Sequence, residues 1–410
     1  MTAKLGSELS SGGLKELRSR ILFVVLGIVV FRFGAYIPIP GLDPARLSAL
    51  FNQHSSGLLG MFNMFSGGAL SRMTIFALSI MPYISASIII QMFSSVSPSL
   101  IALKKEGESG QRKITQYTRV GTLFLSLLQA AVISKWLVSE HIAFLIGPAF
   151  YVQAIITLVT GTMFLMWLGE QMTERGIGNG ISMIIFSGIV ARFPSAIGSV
   201  ITQVHQGQMQ PISLFVIFFV VLAVTFIVVF VERAQRRIKI NYAKRQQGRK
   251  LYSAQSSYLP FKINMSGVIP PIFAQSILMF ITSIPRFLGL FKAGTAGWVS
   301  GIFLALSFGH PIYMLVFALL VIFFSFFYTA LMNNPKETAE NLKKSGAYIQ
   351  GIRPGEQTAN YIDTVITRLT VVGSIYLALV ALLPEFLIVA WHVPFYFGGT
   401  SLLIVVVVLM

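Results

Sequence analysis

Long apolar runs alternate with polar segments along almost the whole chain. A transmembrane helix needs about 20 mostly apolar residues, and ten runs approach this pattern, at 21–40, 75–96, 120–134, 146–168, 181–197, 211–230, 264–284, 311–332, 369–383 and 395–410. Their interiors are almost free of charge, with Arg32 as the clear exception, and a charge at the bilayer centre costs at least about 2.5 kcal/mol. The pattern predicts an all-α polytopic membrane protein with ten transmembrane helices.

A polar stretch, HQGQMQP at 205–211, separates the first five runs from the last five. Because an odd number of spans precedes it, the second group of helices enters the membrane in the opposite direction. We therefore expect two inverted five-helix halves, 1–205 and 206–410. Inverted repeats often place a substrate path at the interface between them.

Composition limits the chemistry that the chain can perform. Hydrophobic residues make up 55% of the sequence and charged residues 11%. The absence of cysteine excludes disulfides and thiolate metal sites, and the five histidines are scattered without the spacing of metal ligands. The sequence contains neither the phosphate-binding glycine–lysine motif nor a plausible serine–histidine–aspartate set. We expect no catalytic residue, cofactor or metal, so any work must draw its energy from a partner.

Basic residues give the chain a net charge of +17 and an orientation. They collect at the N-terminus and in the segments 98–119, 232–262 and 332–368, which the positive-inside rule assigns to the cytoplasm. For the smaller clusters, orientation alone is one explanation, and a role in binding a partner stays open beside it. The segment 232–262 carries more basic residues than orientation requires, with nine of them and one acid, Glu232. It predicts a protruding cytosolic arm for an anionic partner, either RNA or an acidic protein surface.

The segment 58–74, LLGMFNMFSGGALSRMT, is apolar but too short to span a membrane, and small residues at 66–68 interrupt it. Three interpretations stay open from the residues alone: a helix on the membrane surface, a re-entrant element, or a helix folded into a cavity. A strongly basic polar face would favour the surface helix, yet Arg72 is the only charge. Irregular backbone at membrane depth is tolerated only where protein or water surrounds it.

Seven stretches of the sequence carry a resemblance to a known family. They are MFNMFSGGALSR (61–72), MPYISASIIIQ (81–91), KKEGESG (104–110), GEQMTERGIGNGIS (169–182), INYAKRQQGR (240–249), NLKKSGAYIQGIRPGEQTA (341–359) and VPFYFGGTSLLIVVVV (393–408). In these stretches the chain resembles the SecY family, the channel subunit of the bacterial Sec protein translocase, in its proteobacterial form. The resemblance implies a clamshell of two halves around a central pore in the bacterial inner membrane. The family continues beyond the position of Met410, so the resemblance also implies an incomplete tenth span.

The resemblance assigns a seal and an exit to this pore. In the family, apolar side chains form a ring at the waist, and the matching residues here are Ile80, Ile84, Ile181, Ile185, Ile272 and Ile404. A short plug helix fills the outer funnel and corresponds to Met61, Phe62, Asn63, Met64, Phe65, Ser66, Gly67, Gly68, Ala69 and Leu70, within the segment 58–74. Stiff β-branched side chains suit an apolar constriction that gates by dewetting. A lateral gate would lie between the second and seventh runs, with the third and eighth contributing. Periodicity alone does not separate these isoleucines from lipid-facing ones.

The resemblance also implies partners and a direction of transport. Unfolded secretory preproteins would cross the membrane, and signal sequences and nascent transmembrane helices would leave sideways into the lipid bilayer. The SecA ATPase, or the ribosome through RNA and proteins at its tunnel exit, would drive the movement. These partners would dock on the two large basic loops through Lys244, Arg245, Arg249, Lys250 and Arg353. SecE and SecG would be the companion subunits.

Two other classes of protein share parts of the pattern. A secondary transporter has similar hydropathy but needs polar or charged groups near the midplane, where the runs offer Arg32 and uncharged groups such as Gln91 and Thr225. A membrane scaffold that recruits ribosomes would have no use for a plug or an isoleucine waist. We therefore expect a passive protein-conducting channel and not an enzyme.

Overall fold

A helix lies in each of the ten apolar runs, which confirms the all-helical polytopic architecture. The computed structural model describes residues 2–43, 46–47, 63, 66–144, 147–207, 211–242, 245–247, 250–252, 256–287, 310–391 and 399–409. The helices within these ranges are α1 (Thr2–Gly34), α2 (Met81–Val96), α3 (Pro98–Lys105), α4 (Glu108–Ser139), α5 (Pro148–Arg175), α6 (Gly180–Val190), α7 (Phe193–His205), α8 (Pro211–Arg233), α9 (Ile269–Phe287), α10 (Pro311–Met332), α11 (Pro335–Lys344), α12 (Glu356–Trp391) and α13 (Gly399–Leu409).

Five segments of the described chain are long and apolar enough to cross a membrane. They are Glu108–Ser139, Pro148–Arg175, Gly180–His205, Pro311–Lys344 and Glu356–Leu383. The pair formed by α2 and α3 is a sixth candidate, bent by 95° at the break before Pro98. Helices α1, α8, α9 and α13 occupy the remaining predicted runs.

The chain divides into two compact units. Unit 1 contains the described residues of 1–209 and 276–310, and unit 2 contains those of 210–275, 311–392 and 397–410. The inverted relation between halves 1–205 and 206–410 stays a prediction.

Within unit 1, α4 packs against α2 and α5 through a stripe of small residues. Thr118, Thr122, Ser126, Ala130 and Ser134 recur at every fourth position and are buried. Their hydroxyls donate to carbonyl groups of the same helix, for example from Thr122 Oγ1 to the Thr118 oxygen at 2.7 Å. Small residues let membrane helices approach closely, and the internal hydrogen bonds leave these hydroxyls satisfied without a partner on the neighbouring helix.

Two predicted boundaries were wrong. The second helix, α2, begins at Met81 and not at residue 75, because residues 66–80 form turns and an isolated bridge. The fifth run is two helices, α6 and α7, with Arg192 at the break between them. Arg192 is therefore a second charge within the apolar runs. Proline occupies the first turn of both α2 and α7, where its fixed φ and missing N–H are tolerated.

Unit 2 contains strands, which the sequence analysis did not predict. Strand β1 (Gln235–Tyr242) pairs antiparallel with β4 (Ser256–Lys262) on one side and with β5 (Ala347–Ile349) on the other. Strands β2 (Arg245–Gln247) and β3 (Lys250–Tyr252) pair with each other. The two large basic loops are thus joined in one sheet, whose apolar side packs against α12.

Candidate functional site

The described residues of the segment matched to the plug form turns held by their own hydrogen bonds. Asn63 Oδ1 accepts from the Ser71 N–H at 2.9 Å, and Ser66 Oγ accepts from the Leu70 N–H at 3.1 Å. The Gly68 N–H donates to the Asn63 carbonyl at 2.8 Å. Gly68 has a φ of 88°, a conformation that glycine adopts without steric strain.

The resemblance implies a short helix for the plug, but the described residues of this segment are mostly turns. Asn63 is helical, but residues 66–73 are a series of turns, because side-chain bonds from asparagine and serine compete with helical hydrogen bonding. Residues 66–70 are all buried, which argues against a helix lying on the membrane surface. The other residues matched to the plug lie outside the described residues: Met61, Phe62, Met64 and Phe65.

The chain that follows the plug is fixed by a close fit against α5. The Ile75 N–H donates to the Ile37 carbonyl at 3.1 Å. A Cβ on Gly161 of α5 would lie 1.9 Å from the Ile75 carbonyl oxygen, so glycine is required there. The next residue, Phe76, stacks on two other rings at centroid distances of 6.1 and 6.0 Å, those of Phe31 and Phe164.

Gly67 packs the plug against α6. A Cβ on Gly67 would lie 3.0 Å from the Gly188 Cα, and Gly67 has a φ of 65°, so both space and conformation favour glycine. Gly188 lies three residues after Ile185 and shares its helix face. The segment matched to the plug therefore rests on the helix that carries two of the matched isoleucines.

Arg32, the charge in the first apolar run, contacts the segment matched to the plug. Its Nη1 donates to the Gly67 carbonyl at 3.2 Å, and its Nη2 donates to the Tyr36 hydroxyl at 3.2 Å. The guanidinium carbons of Arg32 and Arg72 lie 5.4 and 4.2 Å from the centre of the Tyr36 ring, within the range of cation–π attraction. The charge therefore has specific protein partners.

Four of the six matched isoleucines lie at the N-terminal ends of two helices in unit 1. Ile80 directly precedes α2, and the Ile84 N–H donates to the Ile80 carbonyl at 3.0 Å. Ile181 and Ile185 lie in the first two turns of α6. In each pair the residues are four apart and share a helix face. Ile80, Ile84 and Ile185 are buried, and Ile181 is half-buried.

The start of α6, which sets the position of Ile181, is defined by the segment GEQMTERGIGNGIS. Asn179 Oδ1 accepts from the Ile181 N–H at 3.0 Å, which caps the helix. The Gly180 N–H donates to Thr173 Oγ1 at 2.9 Å. A Cβ on Gly169 would lie 2.9 Å from Ile181 Cγ1, so α5 and α6 approach closely only because glycine stands there.

The remaining two matched isoleucines belong to unit 2. Ile272 lies in the first turn of α9 and is half-buried, and Ile404 lies in α13 with 1% of its surface exposed. Ile89 of α2, by contrast, is 44% exposed. Burial separates four of the matched isoleucines, Ile80, Ile84, Ile185 and Ile404, from this exposed one, a distinction that periodicity did not give. Their arrangement as one ring stays a prediction.

The sheet in unit 2 has one apolar and one basic side. Along β1, Ile238 is buried while Arg237 and Lys239 are exposed. Lys239 pairs with Tyr258 of β4, which is 56% exposed, and the exposed Tyr348 of β5 lies on the same side. We call Arg237, Lys239, Tyr258 and Tyr348 the basic face. Cations beside tyrosine rings are suited to contact phosphates and bases.

The predicted docking residues lie at two places in unit 2. Arg245 begins β2 and Lys250 begins β3, whereas Lys244 and Arg249 lie outside the described residues. Arg353 is exposed in the turn after β5, and its carbonyl accepts a hydrogen bond from Thr358 Oγ1 at 2.9 Å. Its backbone is therefore fixed while its side chain is free to meet a partner.

One acid lies at the base of the basic arm. Glu232, two residues beyond the predicted sixth span, is buried and accepts a hydrogen bond from Asn264 Nδ2 at 2.6 Å. Burial raises the pKa of Glu232 above its ordinary value, and the hydrogen bond from Asn264 opposes this shift. The acid is thus held inside the unit and does not neutralise the basic face.

The acidic residues offer no sign of metal or acid–base chemistry within the described ranges. No group of three or more histidine, aspartate or glutamate residues there is close enough to hold a metal ion. Glu170, at the end of α5, accepts two hydrogen bonds from Arg119 of α4, at 3.0 and 2.7 Å. It is engaged in an ion pair between helices.

Comparison with known proteins identifies the family. A sequence model of the SecY family matches residues 74–410. The chain is 59% identical over 406 residues to the protein translocase subunit SecY of Escherichia coli strain K12, which covers 98% of this chain and 91% of that relative. The chain belongs to the SecY family. Members of the SecY family are named as translocase subunits and not as catalysts.

Solved structures related to the SecY family share the fold. One, described as the plug domain of the SecY protein stabilising the closed state of the translocation channel and maintaining a membrane seal, matches with a TM-score of 0.69, 18% identity and coverage of 96% of this chain and 90% of that one. Sec61 in the canine ribosome-channel complex from the endoplasmic reticulum matches with a TM-score of 0.64, 18% identity and the same coverages, 96% and 90%.

Two features of this SecY-family chain were missed from the sequence. The sheet that joins the basic loops had a signal, since RRIKINY (236–242) alternates polar and apolar residues with the period of a strand. The contact between Arg32 and Gly67 had none, because nothing in the pattern links two residues 35 positions apart.

Proposed function

We propose that the chain is the pore-forming subunit of a bacterial protein translocase. Unfolded secretory preproteins cross the inner membrane through it, and membrane proteins leave it sideways into the bilayer. The observation that carries the proposal is the contact of the plug with α6. There Gly67 packs on Gly188, within one turn of Ile185, so a removable segment lies beside apolar residues suited to a constriction.

In this proposal the six matched isoleucines form the waist of the pore and keep the resting channel dry. The burial of four of them, Ile80, Ile84, Ile185 and Ile404, supports this role, since side chains that face lipid would be exposed in the protein, as Ile89 is. Branched hydrocarbon holds no water, and an apolar constriction can close by dewetting. The plug at 61–70 covers the waist and adds to the seal, as the description of one structural relative states for its own plug.

The same proposal places the lateral gate between the spans at 75–96 and 264–284. Ile80 and Ile84 accompany the first of these spans and Ile272 the second. An opening between these two helices would therefore lead from the waist directly to lipid. The third and eighth spans would border the gate, and signal sequences would leave through it.

The basic face serves in this proposal as part of the docking surface for the partner that supplies energy, together with the matched cations Lys244, Arg245, Arg249, Lys250 and Arg353. Anionic RNA at the ribosome tunnel exit, or the SecA ATPase, would bind there. Exposed cations on a fixed sheet support this role, and one structural relative is a channel in complex with a ribosome. SecE and SecG would complete the translocase. The protein would be a multi-pass component of the inner membrane with a cytoplasmic N-terminus, as the placement of basic residues supports.

Reconstitution tests the proposal directly. The chain is incorporated into proteoliposomes with SecE and SecG, and a radiolabelled preprotein is added with SecA and ATP. We expect preprotein that is protected from external protease only when SecA and ATP are both present. A folded complex that never protects preprotein would refute the proposal. Uptake of a small solute driven by an ion gradient would instead indicate a secondary transporter, and ribosome binding without translocation would indicate a scaffold.

A further inference from the structure

The role of Arg32 is not explained by its place in the sequence. It is one of two charges inside the ten apolar runs, and the other, Arg192, lies at a break between helices. Arg32 lies in the last turn of α1, close to the helix end at Gly34. Charges in such segments are costly and usually functional. Its partners therefore indicate what the charge does.

Those partners connect α1 to the plug. The two terminal nitrogens of the Arg32 guanidinium donate to different groups, Nη1 to the Gly67 carbonyl and Nη2 to the Tyr36 hydroxyl, each at 3.2 Å. The Gly67 carbonyl belongs to a turn at the point where the plug meets α6. A charged donor to a backbone carbonyl makes a stronger hydrogen bond than a neutral one.

Tyr36 provides a second connection. Its ring is close to the guanidinium of Arg32 in α1 and to that of Arg72, at the end of the plug segment, with distances of 5.4 and 4.2 Å to the ring centre. Both lie within the range of cation–π attraction. Movement of the plug away from α1 would break the bond to Gly67 and separate Arg72 from this ring.

We propose that Arg32 is a positioning residue that latches the plug in its closed place, a proposal that rests on the channel function described above. The latch joins α1 to the plug through the hydrogen bond from Arg32 to Gly67. The Tyr36 ring adds cation–π contacts to Arg32 of α1 and to Arg72 at the end of the plug segment. Release of the plug leaves the Arg32 guanidinium without its backbone acceptor. The closed position is therefore favoured until a passenger displaces the plug.

The choice of arginine is specific in this arrangement. Arginine presents several donors in a rigid planar fork, whereas lysine carries one compact ammonium on a flexible stem. Arg32→Lys therefore keeps the charge but does not reproduce both hydrogen bonds at the observed positions. Arg32→Leu removes the charge from an apolar helix and favours membrane insertion while it removes the latch. A loose plug in a well-inserted Arg32→Leu protein would thus not be explained by poor insertion.

The absence of native cysteine allows a direct test. Ser71→Cys places a single thiol beside the plug, at a half-buried position, and its rate of reaction with a membrane-impermeant maleimide is measured in proteoliposomes without SecA, ATP or preprotein. We expect labelling about tenfold faster in Arg32→Leu, the size of effect expected when one charged hydrogen bond is lost. Arg32→Lys should fall between Arg32→Leu and the parent. Arg18→Leu, an exposed position on the same helix, should label at the parental rate.

The outcomes separate the latch from the channel function. Unchanged labelling in both Arg32 variants, with parental thermal stability, would overturn the latch. If Arg32→Leu does not fold, Arg32→Lys and Tyr36→Phe decide, because each removes part of the contact and should label at least about twofold faster. Labelling of both of these variants at the parental rate would also overturn the latch. Since the assay contains no preprotein, failure of translocation in the reconstitution experiment would leave this result intact and refute only the proposed function.

Discussion

The plug region of unit 1 and the sheet of unit 2 place their important side chains in opposite environments. Residues 66–70 of the plug are all buried, and the fit depends on glycines and backbone hydrogen bonds. The sheet instead alternates, with Ile238 buried and Lys239 exposed. The proposed seal has to exclude water, so its parts are inseparable from the packing of the protein. The proposed docking surface has to meet a partner, so its charges are carried by a framework that does not depend on them.

The largest expected effect is on packing in unit 1. Gly161→Ala would place a Cβ 1.9 Å from the Ile75 oxygen, so α5 must move away from the segment behind the plug. We expect a loss of more than about 4 kcal/mol of stability, in the range of severe overpacking. Thermal unfolding in detergent, followed by tryptophan fluorescence, measures it.

Gly198→Ala in α7 is the matched control for this prediction. A Cβ on Gly198 would meet nothing within 4 Å, so the change should stabilise the helix by about 1 kcal/mol, as alanine does in helix interiors. Equal unfolding temperatures for the two variants would contradict the close fit at Gly161.

The second-largest expected effect is a difference in stability between substitutions at two neighbouring residues of β1, Ile238 and Lys239. Ile238→Ala removes buried apolar contacts with α12 and should cost the sheet about 3 kcal/mol. Lys239 is the next residue and lies on the exposed side of the strand. Lys239→Ala should therefore change stability by less than about 0.5 kcal/mol. Hydrogen exchange of residues 235–262 reports the difference. Similar protection in both variants would contradict the alternation of the strand.

The smallest structural effect is expected for Arg353→Glu. The side chain is exposed, so unfolding in detergent should be unchanged, while SecA-driven translocation falls by about tenfold because like charges meet in the docked complex. Lys336→Glu, an exposed position at the start of α11, controls for the change in net charge. Parental translocation by Arg353→Glu would remove this residue from the docking surface.

The sequence was sufficient to place a helix in each apolar run, although not for every boundary, because a bilayer demands long apolar segments whatever their packing. It also singled out the segment 58–74 as too short and too irregular to span. Pattern alone could not give its conformation, since the turn at Ser66 and Gly68 depends on hydrogen bonds that Asn63 accepts and that no periodicity encodes.

Other features depend on contacts between distant residues and could not be predicted. Ile84 and Ile89 are five residues apart on α2 and look alike in sequence, yet one is buried and the other exposed because of what packs against each helix face. The pairing of β1 with β5 joins residues more than 100 positions apart, as between Ile240 and Ile349. The resemblance to the SecY family supplied roles for such residues but not these contacts.

Conductance of the idle channel in a planar bilayer tests the central claim, that buried isoleucines keep a resting pore closed. We expect replacement of Ile80, Ile84 and Ile185 by serine to open a steady ion conductance, because hydroxyls retain water where branched side chains do not. Deletion of 61–70 should increase it further. Serine at three exposed isoleucines of unit 1, Ile89, Ile156 and Ile197, should leave the channel closed. A closed baseline in the folded Ile80, Ile84 and Ile185 variant would contradict the account.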